Sequence, residues 1–532
     1  MSFIPPVITC DIGKRVYSLM LELVAIPSIT GSDGGEEACA RFIFDRLAKI
    51  EYFRRNPEDL RLIELKSDPL GRHSLGALLR AHPSKNSKKT VILMGHSDVV
   101  DIDVCGPLRD WAFDPDEYTA RIGGLSLPED VRADLESSNY VFGRGVSDMK
   151  AGIALAMCLL EDYAALGEEL DFNVLLLIVP DEEADSVGMR GAVSFLADLQ
   201  EREKLDFLAC ICVEPSFDSA SPTVYFGSIG KIMPLYLCVG RETHVGSYYE
   251  GLNSTLIASY LNISLEGGRE SVETLGNQTF QPQCCLRMRD TRDRYAVTMP
   301  ERSVLYYNCL IVEKTPAAIL EEMKVKAMSA LKAALAHVGH DGWEPRVLTV
   351  KEIIDKASLS AGREELFSAL PRPEMDERER NIEFISRALD IAGEKGPLVV
   401  VGFAPPFYPP RVNRNVSANE QAVRRAASVA GDSLKRRGFD LKETEIFQGI
   451  TDQSFTGFRG EAAELDLLKE NIPLWGRGYD LPVDDLKKID IPCVVLGHIG
   501  KDAHKITERV ELDYSFNVLP FALKDFVASL LK

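Results

Sequence analysis

The chain has 532 residues, enough for several domains with large cores, which excludes a short disulfide-stapled scaffold. Lys plus Arg number 61 against 81 Asp plus Glu, a formal charge of −20, and this argues against a nucleic-acid or anionic-membrane binder, which would carry basic stripes. Hydrophobic residues at 45% and charged residues at 27% give the balance of a soluble folded protein.

The start, MSFIPPVITCDIGKRVYS, has no basic stretch followed by an apolar run, so no secretory signal is read there. The longest apolar runs, AGIALAMCLL and NVLLLIVP, fall short of the roughly 18 residues a membrane span needs. The eleven cysteines scatter through apolar stretches without a CxxC pair and read as small core residues in a reducing compartment. A cytoplasmic location is the expectation, with neither membrane nor nucleic acid as partner.

From Gly13 to about Ser221, amphipathic helices alternate with short apolar runs bounded by turn residues, the pattern of an α/β sheet. Helices are predicted over 14–26, 34–49 and about 149–166, and buried strands over Thr90–Met94, Val174–Val179 and Leu208–Val213. After about Thr223 come a strand-like Lys231–Val239, a helix near 251–266, a strand at 303–312, a helix at 316–337 and a strand near 346–352. That order suggests a two-layer α+β domain. Residues 355–395 are charged and helix-like, and the run EMDERERNIE reads as a solvated face. GPLVVVGFAPPFYPP and IPCVVLGHIG look like buried strands again, so the α/β sheet is predicted to resume near residue 396. The expected architecture is one mixed α/β domain made of residues 1–222 and 396–532, with residues 223–395 inserted into it.

Open α/β sheets bind ligands beyond the carboxyl ends of their strands. Each predicted strand here ends in a polar segment: TVILM runs into His96 and Asp98, VLLLIVP into Asp181, Glu182 and Glu183, LACICV into Glu214, and CVVLGHIGKDAH ends at His504. Asp148 lies in GRGVSDMKAG, just before the long apolar helix. His96 and Asp98 are two apart, so in an extended segment they share a face, where the carboxylate can take the second ring N–H of an imidazole that holds a metal. Glu182 and Glu183 are adjacent and point in different directions, which permits two separate roles. Each residue also has a plainer reading taken singly: Glu182 and Glu183 as complements to a helix dipole, Glu214 as a turn residue before Pro215, Asp148 as an N-cap.

Together these segments resemble the co-catalytic zinc amidohydrolases and exopeptidases, the family of aminoacylase, glutamate carboxypeptidase and succinyl-diaminopimelate desuccinylase. The motifs carrying the resemblance are GHSDVVD, GRGVSDMKAG, DEEADS, VEPS and AHKITERV, in the family's order. CLRMRDTRDRYAVTMPERSVLYYN and ITDQSFTGF look most like its arginine-utilisation, RocB-type branch. The resemblance implies a zinc-exopeptidase-like catalytic domain with an inserted lid and dimerisation domain, and a homodimer formed through that lid. It implies that His96, Asp148 and Glu214 hold one zinc ion and Asp148, Glu183 and His504 a second, with Asp98 orienting His96; manganese or cobalt could occupy the same donors. Glu182 is similar to the family's general base. His244, in GRETHVGSYYEGLNS, takes the place of a lid histidine that polarises the substrate carbonyl, although the proline usual after the glycine is absent here. The implied reaction is hydrolysis of a C–N amide bond in a small N-acyl amino acid or dipeptide-like compound, in arginine catabolism if the branch holds. Two ions sharing a water would lower its pKa toward about 7, and Glu182 would take its proton.

Other readings find less support. No GxSxG elbow is present for a serine hydrolase, and FGSIGK and LGHIGKD lack the first glycine of a phosphate-binding loop. The remaining rival is a metal-free relative that binds an amino acid or peptide as a sensor or scaffold, which would be expected to lose a ligand or the base; every such position is filled. Arg287, Arg289, Arg292 and Arg294 read as a solvated basic loop, Cys284 and Cys285 as ordinary thiols, and Asp452 as a turn residue or a support of the site. No role is read for His73, His82, His337, His340 or His498.

Overall fold

The computed structural model describes residues 4–66, 68–216, 221–292, 294–340, 342–368 and 375–532. Two compact units emerge: residues up to 228 with 411–458 and 484–532, and residues 229–410 with 459–483.

The first unit is built on an eight-stranded mixed sheet. Its strands run in the order Leu60–Glu64, His73–Leu79, Asn173–Val179, Lys89–His96, Asp206–Cys212, Cys493–Val495, Thr223–Tyr225, Lys442–Thr444. Lys89–His96 is parallel to both its neighbours, so three strands deliver their carboxyl ends to one edge. All seven residues of Asn173–Val179 are buried, as expected of a strand covered on both faces. The helices Asp11–Val24 and Ala151–Ala164 pack together and join the main core. The second of these is apolar almost all round and has eleven buried residues, which fits a helix enclosed in a core rather than one lying on a surface. Gly152 lets its first turn come against the end of Asp206–Cys212; a Cβ there would sit 2.3 Å from the Val213 carbonyl oxygen.

In the second unit a five-stranded sheet runs Cys284–Asp290, Arg302–Ile311, Gly230–Val239, Leu398–Tyr408, Arg346–Thr349. Side chains alternate along Gly230–Val239. Pro234 and Tyr236 face Leu265, Ile319 and Met323 of the helices Ser254–Leu265 and Pro316–Val338, while Met233, Leu235, Leu237 and Val239 meet the helices Val350–Ala361 and Glu377–Ala392.

Three expectations are corrected here. Leu398–Tyr408 does not return to the first sheet: it pairs with Gly230–Val239 and Arg346–Thr349, and the chain re-enters the first unit at Arg411. A strand buried on both faces reads the same in either sheet, so its apolar run could not name its partner. The charged stretch is likewise more than a solvated face. Glu377–Ala392 buries Ile382, Phe384, Ile385, Ala388 and Leu389 and adds a third layer to the predicted two; residues 369–374 of that stretch lie outside the described residues. The arginines read as a basic loop begin on the edge strand Cys284–Asp290, where Arg287 and Arg289 both pair with Glu379 of that helix, at 3.3 and 2.5 Å.

This layer gives a stability prediction. Phe384→Ala removes a fully buried ring and is expected to cost about 3–5 kcal/mol in denaturant unfolding of the full chain, while exposed Glu383→Ala stays within about 0.5 kcal/mol. Equal midpoints for the two variants would show that the helix does not help hold the sheet.

Candidate metal centre

The strand Lys89–His96 ends with the His96 ring enclosed, its side chain 2% exposed. Two residues on, Asp98 is completely buried. Its Oδ1 accepts the Glu182 backbone N–H at 3.1 Å, and its Oδ2 accepts the Glu183 N–H at 3.1 Å and the Thr30 hydroxyl at 2.9 Å. His96 Nδ1 lies 3.4 Å from Asp98 Oδ1 and 3.1 Å from the Asp98 carbonyl oxygen, so this nitrogen carries the ring proton and Nε2 is left as the donor atom for a ligand. Burial alone would raise the Asp98 carboxyl; His96 and the donated hydrogen bonds hold it below the usual carboxylate range.

The other polar segments converge on that nitrogen. Asp148, reached through left-handed Gly145 in the loop before the helix Ala151–Ala164, places Oδ1 3.0 Å from His96 Nε2 and Oδ2 3.1 Å from His504 Nε2. Glu214 Oε1 is 3.2 Å from His96 Nε2, and Glu183 is 3.0 Å from His504 Nε2. One carboxylate therefore stands between two imidazoles, and each imidazole has a second carboxylate of its own. Donor atoms of His96, Asp148 and Glu183 all lie within 4.8 Å of one another. The His504 side chain is half exposed and marks the open side of the cluster.

The electrostatics match this crowding. Burial pushes Glu183 up to about 7, with Asp148 adding to the rise, and it lifts Glu214 and Glu182 as well, Glu182 well above the ordinary range against the pull of His96. His504 is carried up to about 10 by Asp148 and Glu183. Carboxylates outnumber imidazoles, and imidazole nitrogen with carboxylate oxygen is the donor set that suits zinc and its first-row neighbours. The donor set thus fits divalent metal, which would relieve the excess negative charge. Glu182 donates its backbone N–H to Asp98, while the carboxylates that meet the two imidazole Nε2 atoms come from Asp148, Glu214 and Glu183, which leaves the Glu182 side chain outside both groups.

His244 belongs to the second unit, on an exposed segment bridged to Thr298. Its Nδ1 accepts the Gly246 N–H at 3.1 Å, so in the neutral ring Nε2 bears the proton and is the atom able to donate.

Several buried groups that support the site were not singled out in the sequence. Arg72 Nη1 holds Asp181 Oδ1 at 2.6 Å and Glu36 at 3.0 Å, and Asp181, at a left-handed φ of 70°, turns the chain into Glu182. Glu508 accepts backbone N–H groups of the Asp148 loop and pairs with Arg144. His498, given no role from sequence, donates Nε2–H to the Ser147 carbonyl at 2.6 Å, and burial takes it down to about 4, so it stays neutral. The available signals were a carboxylate four residues after His504 and an arginine inside GRGVSDMKAG. Asp452 is buried, with its carboxyl pushed up to about 7 by that burial.

Residues 92–467, more than half of the chain, match the model of peptidase family M20/M25/M40. The chain is 33% identical to the uncharacterised protein YqjN of Bacillus subtilis over 97% of its own length and 96% of that protein's. It is 29% identical to protein RocB of the same organism, over 98% and 95%. Against the succinyl-diaminopimelate desuccinylase of Verminephrobacter eiseniae it is 30% identical over 43% of this chain and 52% of that one. In fold it is similar to the M20 family metallo-carboxypeptidase Sso-CP2 from Sulfolobus solfataricus, with a TM-score of 0.55 at 14% identity covering 97% of this chain and 100% of that one. The di-peptidase Dug1p from Saccharomyces cerevisiae gives 0.52 at 12% identity, covering 97% and 95%.

Asp98→Asn tests the orienting contact. An amide nitrogen would face one of the two N–H groups now accepted, so zinc affinity measured by calorimetric titration should fall about 10–100-fold with the fold retained. Affinity equal to the parent's would remove Asp98 from this role.

Proposed function

The chain belongs to peptidase family M20/M25/M40, and from that premise we propose that it is a two-metal hydrolase of the C–N amide bond in a small N-acyl amino acid or dipeptide-like substrate. The observation that carries this reading is Asp148 set between His96 and His504, each paired with a further carboxylate. In the proposal His96, Asp148 and Glu214 hold one ion, and Asp148, Glu183 and His504 the other, zinc being the first candidate. When bound, the ions would supply Lewis acidity, which acidifies water toward neutrality and polarises an amide carbonyl.

The chain's own side chains do the rest. Glu182, a carboxylate next to the donor set but outside it, accepts the proton that water loses on attack and passes it to the leaving nitrogen. Burial raises its proton affinity above that of an ordinary carboxylate, which suits a group that must take up a proton and return it. His244, with Nε2–H free to donate, stabilises the oxyanion of the tetrahedral state, where one such donor is typically worth about 3 kcal/mol. Asp98 holds His96 in the tautomer that leaves Nε2 for the ion.

Likeness to RocB across nearly the whole chain favours arginine derivatives as the first substrates to screen, in a role in arginine catabolism. A cytoplasmic setting agrees with eleven free thiols. For the homodimer, the edge strand Cys284–Asp290 of the second unit leaves Leu286 and Met288 exposed and is the surface we assign to pairing.

Metal analysis of protein purified without chelator should give about two equivalents of zinc per chain, falling sharply in Asp148→Ala. Protein that holds no metal and takes up neither zinc, manganese nor cobalt would favour a binding protein over an enzyme. Glu182→Gln should keep its metal and lose about 10²–10⁴-fold in turnover; a rate near the parent's would take the base role from Glu182.

A further inference from the structure

The segment from His498 to Glu508 meets the Asp148 loop through four of its residues. His504 touches the Asp148 carboxylate, and His498 donates to the Ser147 carbonyl. Gly500 lies so close that a Cβ on it would fall 1.7 Å from Ser147 Oγ. The fourth contact is Glu508, 1% exposed. Its Oε1 accepts the backbone N–H groups of Gly145 at 2.8 Å, Ser147 at 3.2 Å and Asp148 itself at 3.2 Å, while its Oε2 pairs with Arg144. The backbone joins in, with the Gly143 N–H donating to the Glu508 carbonyl oxygen at 3.2 Å.

We propose that Glu508 is a positioning residue for the metal centre: by gathering three N–H groups of the Asp148 loop it fixes where the Asp148 carboxylate stands between His96 and His504. The inference rests on the two-metal reading above. A carboxylate with three backbone donors and a guanidinium is anchored by charge-assisted bonds, each stronger than a neutral one, and its cluster of acceptor charge organises a loop that has no regular ladder of its own. The same carboxylate stands four residues after His504, so one stretch of chain sets both the imidazole and the loop that the imidazole meets. A shift of the loop would move Asp148 relative to both halves of the centre at once, because its two oxygens serve different imidazoles.

Glu511 provides the control. It is also buried, on the same segment, and gathers donors in the same way: Asn139 Nδ2 at 2.7 Å and the N–H groups of Asp513, Tyr514 and Ser515 at 3.0, 3.2 and 3.2 Å, none of them in the Asp148 loop. Glu508→Gln and Glu511→Gln thus each replace a buried carboxylate that gathers three backbone N–H groups, Glu508 alone having a guanidinium partner in Arg144. The test is titration of cobalt(II) into metal-free, full-length protein, followed by calorimetry and by the visible absorption of the bound ion, with thermal unfolding of the metal-free proteins alongside. The parent should take up about two ions. Glu508→Gln should bind both about 10–100-fold more weakly with an altered absorption band, and Glu511→Gln should bind as the parent does, whatever each loses in thermal stability. Binding by Glu508→Gln equal to the parent's, or an equal loss in both variants, overturns the proposal. If Glu508→Gln does not fold, Glu508→Asp, which keeps the charge opposite Arg144 but shortens the reach to the loop, carries the same expectation and the same refutation. No uptake by the parent overturns the two-metal reading itself, an outcome distinct from uptake that Glu508 does not influence.

Discussion

A carboxylate with no access to water needs its full complement of donors, and Asp98 finds them in three different segments of chain. The Thr30 hydroxyl, the N–H groups of Glu182 and Glu183 and the His96 ring all close on it. None of these donors is near it in sequence except His96, so satisfying Asp98 pins the end of one parallel strand to the turn at the end of its neighbour. The geometry of the centre is a consequence. Once the Glu182 and Glu183 backbone is tied down, the Glu183 carboxylate meets His504, and His96 is left with only Nε2 to offer.

Collecting Asp98, Asp148, Glu182, Glu183 and Glu214 at one sheet edge is electrostatically unfavourable, and the surroundings compensate at a distance from the donor atoms. Arg72 pairs with Glu36, Asp68 and Asp181, and Arg144 pairs with Glu508, which holds the Asp148 loop. In both places an arginine is spent on a supporting acid, and the ligand set keeps its charge for a cation. The buried Lys150 follows the same logic: its ammonium donates to the carbonyl oxygens of Leu23 and Ile26, at and just past the end of the helix Asp11–Val24, instead of to Asp148 two residues away. Had any of these cations paired with Asp148 or Glu183, the donor set would already be satisfied and metal affinity lost.

The parts of the site legible in the sequence were those that depend on a strand and the residues just after it. His96, Asp98, Glu182, Glu183 and Glu214 come after apolar runs of strand length, and strands beside one another in a parallel sheet must bring such residues to one edge. His504 is read at the end of CVVLGHIGKDAH and Asp148 in the segment before the long apolar helix, and the resemblance adds their roles as ligands. Glu508, Arg72 and Thr30 stayed hidden because each acts on main-chain groups or on another acid, and a bond to a distant N–H leaves no periodic trace. The same limit applies to the fold. Leu398–Tyr408 was visible as a strand, but its pairing with Gly230–Val239 depends on a partner far off in sequence, and Cys284–Asp290 was read as a loop because an exposed edge strand need not alternate.

The second unit shows how a charged sequence can still close a core. Glu377–Ala392 carries glutamates and arginines through its first turns, yet Ile382, Ile385 and Leu389 recur at helical spacing, and with Phe384 and Ala388 between them they widen the stripe that covers the sheet. Its charges are then used laterally, Glu379 reaching Arg287 and Arg289 on the edge strand and Asp390 pairing with Arg302. These exposed or half-exposed pairs contribute little stability each, but they tie the added layer to two strands in one register. With helices on both faces of the sheet, new contacts from this unit must come from its edges and its loops. His244 stands on one of those loops, on a segment bridged at Thr298 and close in sequence to Tyr248 and Tyr249.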